Sequence, residues 1–273
     1  MNASETQKIC LTIAGVDPSG GAGIYADLKS FSAFGCYGTA AITSITFQNT
    51  TGVFGAIHQS PESVRSQIQP IIDDFEISAT KTGMLPTVEI IEEIAKLAAE
   101  NRFQNFVVDP VVRSTSGFDL IDDHALRSLI ENLFPVSDLI TPNLAEAERI
   151  TQMSIRDEKD LYEAARKMQN LGAKNVLIKG GHFPEHFRDE SNGTARDFLF
   201  IAEKIHILES EYIRTKSTHG TGCTLASAIA ANLANGKNLI ESVEAAKTYV
   251  TNAIKTAPHI GSGNGPINHL VKL

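Results

Sequence analysis

The residues Thr218-His219-Gly220-Thr221-Gly222-Cys223-Thr224 stand directly before a run of small side chains, Leu225–Asn235. A helix read over Thr224–Asn235 leaves four consecutive N–H groups without intrahelical partners, and the glycines let an oxyanion come close to them. Donors held in this way suit a phosphoryl group in flight. Each can be worth roughly 3 kcal/mol of transition-state stabilisation. Cys223 sits in the same positive field. A free thiol has a pKa of about 8.5 and a helix N-terminus lowers it, so Cys223 is expected to serve as base or nucleophile.

Three further groups point to the same chemistry. In Thr141-Pro142-Asn143-Leu144-Ala145-Glu146, Asn143 and Glu146 are three apart and share a face on a helical turn, as a hydrated Mg²⁺ held through one carboxylate and waters requires. The alternative for this pair is a helix cap with a surface glutamate. Asp109-Pro110 closes another apolar run and offers a second carboxylate, and Lys179-Gly180-Gly181 closes a third with one positive charge beside glycines. Brought to one crevice, Asp109, Glu146, Lys179 and the anion hole are what Mg²⁺-dependent phosphoryl transfer needs.

A second glycine-rich turn, Gly15-Val16-Asp17-Pro18-Ser19-Gly20-Gly21-Ala22-Gly23, also follows a strand pattern and opens a helical one. Gly21-Ala22-Gly23-Ile24-Tyr25-Ala26 matches the dinucleotide fingerprint, yet the acid expected about twenty residues on is missing: after Asp27 the next acidic residue is Glu62. A nicotinamide site is therefore not expected. A nucleotide loop of the Walker type fails as well, because Gly20 is followed by Gly21-Ala22 with neither Lys nor Ser/Thr. His182 and His186 have metal-like spacing, but Pro184 lies between them, and they read as loop histidines. His219 is expected either to contact phosphate or to cap the helix. Cys10 and Cys36 read as small buried apolar fillers. Val111–Asp119, with Ser114-Thr115-Ser116-Gly117, has the composition of a lid, and Gly261–Pro266 that of a flexible linker that closes over a base.

These groups need a frame. Short apolar runs predict strands near Ile9–Ala14, Ala40–Phe47, Phe106–Asp109, Asp138–Thr141 and Val176–Lys179. Amphipathic patterns predict helices near Ile24–Phe34, Pro61–Asp73, Thr87–Asn101, Asp122–Leu133, Glu158–Leu171, Thr224–Asn235 and Leu239–Thr256. Strands alternating with helices indicate an α/β fold with a mostly parallel sheet covered on both faces, and residues 1–273 read as one domain. Gly52–Ile57 and Thr194–Leu208 break the rhythm and read as antiparallel additions or an edge flap.

Composition excludes other classes. The 273 residues are 42% hydrophobic and 21% charged, which rules out a disordered chain or a disulfide-stapled miniature domain. With 24 basic against 32 acidic residues and no Lys/Arg cluster, a net charge of −8 argues against nucleic acid as a partner. The 3 cysteines include no C-x-x-C pair, which fits a reducing, cytoplasmic setting. No stretch approaches the ~18 apolar residues of a membrane span, and Ile9–Ala14 is too short for a signal core.

Taken in order, the Gly15–Gly23 turn, Gln48-Asn49-Thr50, Lys81-Thr82-Gly83-Met84-Leu85, Asp109-Pro110-Val111, Asn143 with Glu146, Lys179-Gly180-Gly181-His182, Gly220–Thr224 and Gly263-Asn264-Gly265-Pro266-Ile267-Asn268-His269 resemble the hydroxymethylpyrimidine/phosphomethylpyrimidine kinases of the ribokinase superfamily. The resemblance runs from about Leu11 to His269. It implies a three-layer αβα ribokinase-like fold and an enzyme that uses MgATP twice. The first transfer is to the 5-hydroxymethyl group of 4-amino-5-hydroxymethyl-2-methylpyrimidine, and the second is to the resulting monophosphate, on the route to thiamin. It further implies that Gln48 reads the aminopyrimidine edge, with Gly15, Asp27, Met84 and Val111 lining the pocket. Glu146 with Asn143 would organise Mg²⁺ and phosphate, and Lys179 would sit by the ATP phosphates; beside these, Asp109 is expected as a second metal carboxylate and Thr218 as a nucleotide contact. Gly220, Thr221 and Gly222 would form the anion hole, and Cys223 would stand where sugar kinases of the superfamily carry an aspartate base. Many members carry a lysine in the lid, a role that here would move to Arg113. The resemblance also implies a homodimer. Pyridoxal kinases share the superfamily, and vitamin B6 salvage is the alternative activity. A catalytically silent pyrimidine sensor is a third reading, disfavoured because Glu146, Lys179 and the anion hole serve only phosphoryl transfer.

Overall fold

The computed structural model describes residues 7–101, 103–113, 119–180 and 193–272. Nine strands form one mixed sheet: β1 (Ile9–Val16), β2 (Tyr37–Asn49), β3 (Gly52–His58), β4 (Ile77–Thr82), β5 (Phe106–Val108), β6 (Leu139–Ile140), β7 (Asn175–Ile178), β8 (Thr194–Ile201) and β9 (Lys204–Glu211). Their spatial order is β3-β2-β1-β4-β5-β6-β7-β8-β9. The six strands from β2 to β7 are parallel, and β3, β8 and β9 add antiparallel edges at the two sides. The expected mostly parallel sheet with antiparallel additions is what the chain adopts.

Side-chain alternation along the strands assigns the two faces. Leu11 and Ile13 of β1 and Val108 of β5 pack on a layer formed by α2 (Pro61–Asp74), α3 (Val88–Asn101), α4 (Asp123–Asn132), α5 (Leu144–Thr151) and α6 (Glu158–Asn170). Cys10, Ala79 and Val107 face the opposite layer of α1 (Gly23–Ala33), α7 (Thr221–Ala234) and α8 (Leu239–Lys255). The small residues of α7 have a structural reason. Ala226, Ala228, Ala230 and Ala231 are buried, so the helix lies close against the sheet on one side and α1 and α8 on the others.

Two elements depart from the sequence expectation. β4 was not among the expected strands, because Lys81 interrupts its apolar character, yet it lies at the sheet centre with Lys81 fully buried. α7 begins at Thr221, three residues earlier than expected, since Gly220 takes a left-handed conformation (φ 84°) as its N-cap. Among the described residues no helix is long and apolar enough to cross a membrane.

Candidate active site

The strand order reverses at β1, where open α/β sheets place their ligands. There the carboxyl ends of the parallel strands and the first turn of α7 enclose a cavity of about 890 Å³. Gly15, Gln48, Met84 and Val111 line it, as do Asp109, Asn143, Glu146, Lys179, Thr218 and the 220–223 turn. A Cβ on Gly15 would stand 3.2 Å from the Met84 sulfur, so glycine keeps this part of the wall open.

Asn143 and Glu146 open α5 with a reciprocal capping box: the Asn143 side-chain Oδ1 accepts from the Glu146 N–H at 2.9 Å, and Glu146 Oε2 accepts from the Asn143 N–H at 2.7 Å. The cap reading holds, but the glutamate is not on the surface. Glu146 is buried against the cavity, and its other oxygen accepts from the Val112 N–H at 3.4 Å. Lys179, at the end of β7, places Nζ 2.8 Å from Asp109 Oδ1 and 3.9 Å from Glu146 Oε2. Asp109 also accepts from the Thr141 hydroxyl at 2.8 Å.

One ammonium thus serves two buried acids, and the acids respond differently. Burial works to raise the Asp109 pKa, but close pairing with Lys179, and the more distant Lys81, holds it below its ordinary value. For Glu146 burial wins, with repulsion from Asp109 adding to it against the attraction of Lys179, and the carboxyl is pushed up to about 7. An under-neutralised acid beside an open cavity fits a divalent cation, which binds through one or two carboxylates and completes its shell with water and phosphate oxygens. Among the described residues no group of three or more His, Cys, Asp or Glu forms a cage, and Asp109 and Glu146 are the carboxylates that meet Lys179 there.

The anion turn is tighter than the sequence suggests. The Thr221 N–H is donated to the Thr218 carbonyl at 3.3 Å, while those of Gly220, Gly222 and Cys223 meet no protein acceptor among the described residues, leaving three free donors and not four. A Cβ on Gly222 would lie 3.3 Å from Lys179 Nζ and 3.9 Å from Asp109 Oδ2, so the turn faces the charged cluster. A Cβ on Gly220 would overlap the Gly21 carbonyl, so the two glycine-rich turns are packed against each other.

Asp17 joins those turns, a role the sequence reading did not assign. Its carboxylate accepts from the Ser19 N–H and hydroxyl, from the Gly21 and Ala22 N–H groups, and from His219 Nε2 at 2.7 Å. Burial works to raise its pKa, but His219, Ser19 and Gln48 hold it far below the usual carboxylate range. His219 is therefore engaged with Asp17 and does not cap α7. The Gly261–Pro266 segment is no loose linker: the Asn264 N–H donates to the Thr50 carbonyl at 2.8 Å, and the His219 N–H to the Gly265 carbonyl at 3.1 Å.

Two expectations are corrected. Asp27 does not line the cavity; it is fully buried beneath the floor, where both its oxygens accept from Lys81 Nζ at 2.9 Å. The reason is charge pairing: an ammonium inside the sheet demands a carboxylate. The Cys223 thiol is not depressed by the helix N-terminus. Burial dominates and pushes it up to about 11, against the opposing pull of Lys81. Cys10 and Cys36 are buried, as expected of fillers, and their thiols lie beside each other. Arg113 lines the cavity and is paired with Asp119 at 2.8 Å, whereas Ser114–Gly117, Gly181, His182 and His186 lie outside the described residues.

A parallel sheet with a switch-point cavity that holds free helix N–H groups, a lysine and two carboxylates defines a phosphotransferase of the α/β class. The phosphomethylpyrimidine kinase family model matches residues 17–268. The chain belongs to that family. It is 42% identical over 269 residues to the hydroxymethylpyrimidine/phosphomethylpyrimidine kinase of Staphylococcus aureus strain MSSA476, covering 97% of this chain and 95% of that protein. It is 46% identical over 261 residues to the thiamine biosynthesis bifunctional protein ThiED of Geobacter sulfurreducens, and spans about half (52%) of that longer protein. Among solved structures, pyridoxal kinase of Bacillus subtilis in an ADP complex superposes with a TM-score of 0.87 at 39% identity, covering 97% of this chain and 98% of that one. Phosphomethylpyrimidine kinase of Clostridium difficile superposes with a TM-score of 0.78 at 40% identity, covering 91% and 100%. The sheet, its antiparallel edges and the flanking helices are those of the ribokinase-like kinases.

Proposed function

We propose that this chain transfers the γ-phosphoryl group of ATP to the 5-hydroxymethyl group of 4-amino-5-hydroxymethyl-2-methylpyrimidine, and then phosphorylates the monophosphate to the diphosphate that thiamin synthesis consumes. The observation that carries this reading is the convergence in one cavity of Gln48, Gly15, Met84 and Val111 with Lys179, Asp109, Glu146 and the Gly220–Gly222 turn. Gln48 offers the amide donor and acceptor that an aminopyrimidine edge complements, and Met84 the apolar contact for its methyl-bearing ring.

In this reading Lys179 holds the transferring phosphate, and the free N–H groups of Gly220, Gly222 and Cys223 stabilise the charge that builds on its oxygens. Thr218 and Asn143 stand at the same wall and contact the nucleotide. Mg²⁺, when bound, neutralises phosphate charge; Glu146 and Asp109 would hold it. Cys223 takes the proton of the attacking hydroxyl. The second transfer needs no base, because a phosphomonoester is already ionised near pH 7.

Pyridoxal kinase is the second reading, favoured by the closeness of the Bacillus subtilis structure and of the Staphylococcus aureus pyridoxal kinase solved with AMP-PCP and pyridoxal. ADP release measured in parallel with MgATP and hydroxymethylpyrimidine, its monophosphate or pyridoxal, with products resolved by mass, tests both. Turnover of both pyrimidines is expected; turnover of pyridoxal alone would overturn the main reading. A second copy of this chain is the partner proposed for the exposed apolar residues Ile45, Phe47, Phe54 and Ile57 of the β2–β3 hairpin, and sedimentation velocity at micromolar concentration checks it.

A further inference from the structure

The cavity floor rests on a second, charged layer. On the α7-facing side of the sheet, Ala14 of β1, Gly83 just beyond β4 and Cys223 of α7 touch the cavity. One step below each of them stand Thr12, Lys81 and Ser227, all fully buried. Thr12 and Lys81 are register partners, and Ser227 is one helical turn from Cys223. These three side chains share one carboxylate from α1. Thr12 Oγ1 donates to Asp27 Oδ2 at 2.6 Å, Ser227 Oγ to Oδ1 at 2.6 Å, and Lys81 Nζ to both oxygens at 2.9 Å. The lysine head reaches up to the floor: a Cβ on Gly83 would lie 3.0 Å from Lys81 Nζ.

We propose that Lys81 is a positioning residue of the transfer to the hydroxymethyl group, its ammonium clamped by Asp27 beneath the floor as the fixed counter-charge of the Cys223 thiolate. The inference rests on the reading of Cys223 as base, and adds the cation that favours its thiolate against burial. Two observations aim the cation at the sulfur. Ser227 ties Asp27 to the turn that follows Cys223, so the pair cannot drift from α7. Of the charges that face the thiol, Lys81 from β4 is the strongest single one and favours the thiolate, while Asp27 from α1 and Asp109 after β5 oppose it. Lys179, after β7, also faces the sulfur and favours the thiolate.

The test is the ionisation of Cys223 in the folded protein, read as the pH dependence of its alkylation by iodoacetamide, with Cys223→Ala as the blank for Cys10 and Cys36. Asp27→Asn leaves the ammonium without its carboxylate and is expected to speed alkylation at pH 8 about threefold; Lys81→Met, which removes the stronger charge, is expected to slow it about tenfold, one pKa unit. The double variant Asp27→Asn/Lys81→Met removes both charges and, because the stronger of the two is lost, is expected to react more slowly than native and faster than Lys81→Met. Should Lys81→Met fail to fold, Asp27→Asn and the double variant still separate the cation from the pair. A merely structural role would loosen the floor and speed alkylation in every variant; that result, or no change in any of them, overturns the proposal. Because alkylation is read without turnover, the base assignment is decided separately: retention of the first phosphorylation by Cys223→Ala would refute the base and leave the thiol titration to judge Lys81.

Discussion

The raised pKa of Cys223 makes the two phosphorylations diverge with pH. A base acts in its deprotonated form, and with the thiol pushed up to about 11 the thiolate fraction is roughly 1 in 10⁴ at pH 7 and roughly 1 in 10² at pH 9. The rate of the first transfer should therefore climb about a hundredfold between those values, with a slope near one in log units. The second transfer starts from a phosphomonoester whose second pKa is about 6, so its rate should be flat above pH 8. Glu146 titrates near 7 and touches both steps, which confines the comparison to the alkaline side. Rapid-quench single-turnover measurements with saturating MgATP, on hydroxymethylpyrimidine and on its monophosphate, read the two slopes separately. Cys223→Ala should abolish the slope of the first step and leave the second unchanged. Equal slopes in the native enzyme, or equal losses in both steps of the variant, would refute the assignment of the proton to this thiol.

Glu146→Gln should melt higher than the native protein at pH 8 while losing turnover. The folded-state pKa of about 7 lies above the ordinary 4.5, so this group's contribution to stability is full below about pH 4.5 and lost as the pH rises through 7; an amide keeps the capping box without the charge. Thermal melts from pH 5 to 8 check this, and a lower melting point than native at pH 8 would contradict it. Asp17→Asn should cost about 1–3 kcal/mol at pH 7 and raise KM for ATP, because the carboxylate clasps both glycine turns. The depressed Asp17 pKa gives stability that is present above about pH 4 and lost as the pH falls further, so the acid limb of a denaturation profile should shrink in the variant. Gly220→Ala should cost about 1–2 kcal/mol from the left-handed backbone alone, with added loss from overlap with the Gly21 carbonyl. Denaturant melts paired with turnover check it, and native stability would contradict the packing of the two turns.

Most of the frame was legible because apolar period and caps are local signals. The β2–β3 and β8–β9 pairs were visible as interruptions of the strand–helix rhythm. β4 was hidden because its buried lysine finds a carboxylate 54 residues earlier in the chain, a pairing no local window contains. The same long-range pairing moved Asp27 from the pocket wall, where the resemblance put it, to the layer below. At Asn143 and Glu146 one spacing serves both a cap and a cation site, and only burial separates a surface glutamate from one that faces a cavity. Cys223 illustrates the same limit. Its place at a helix start is written in the glycines, while the burial that raises its pKa and the charges of Lys81, Asp27 and Asp109 around it come from the tertiary fold.

The two buried lysines explain why only one layer of this architecture can bind and react. Lys81 meets a single carboxylate with both oxygens engaged, and Thr12 and Ser227 fill that carboxylate's remaining acceptor sites. Such a pair is charge-balanced and hydrogen-bonded throughout, so it gains nothing from a ligand and holds its position. Lys179 meets two carboxylates at unequal distances, 2.8 and 3.9 Å, and cannot neutralise both. The imbalance appears as the raised pKa of Glu146, and it lies where free N–H groups and glycines leave space. A phosphate chain arriving with its cation corrects both deficits at once, since the cation completes the charge at the acids while the N–H donors and Lys179 receive the phosphate oxygens. Removing one acid should relieve the free protein and disable the loaded one, which is why the Glu146→Gln melt and its turnover are expected to move in opposite directions.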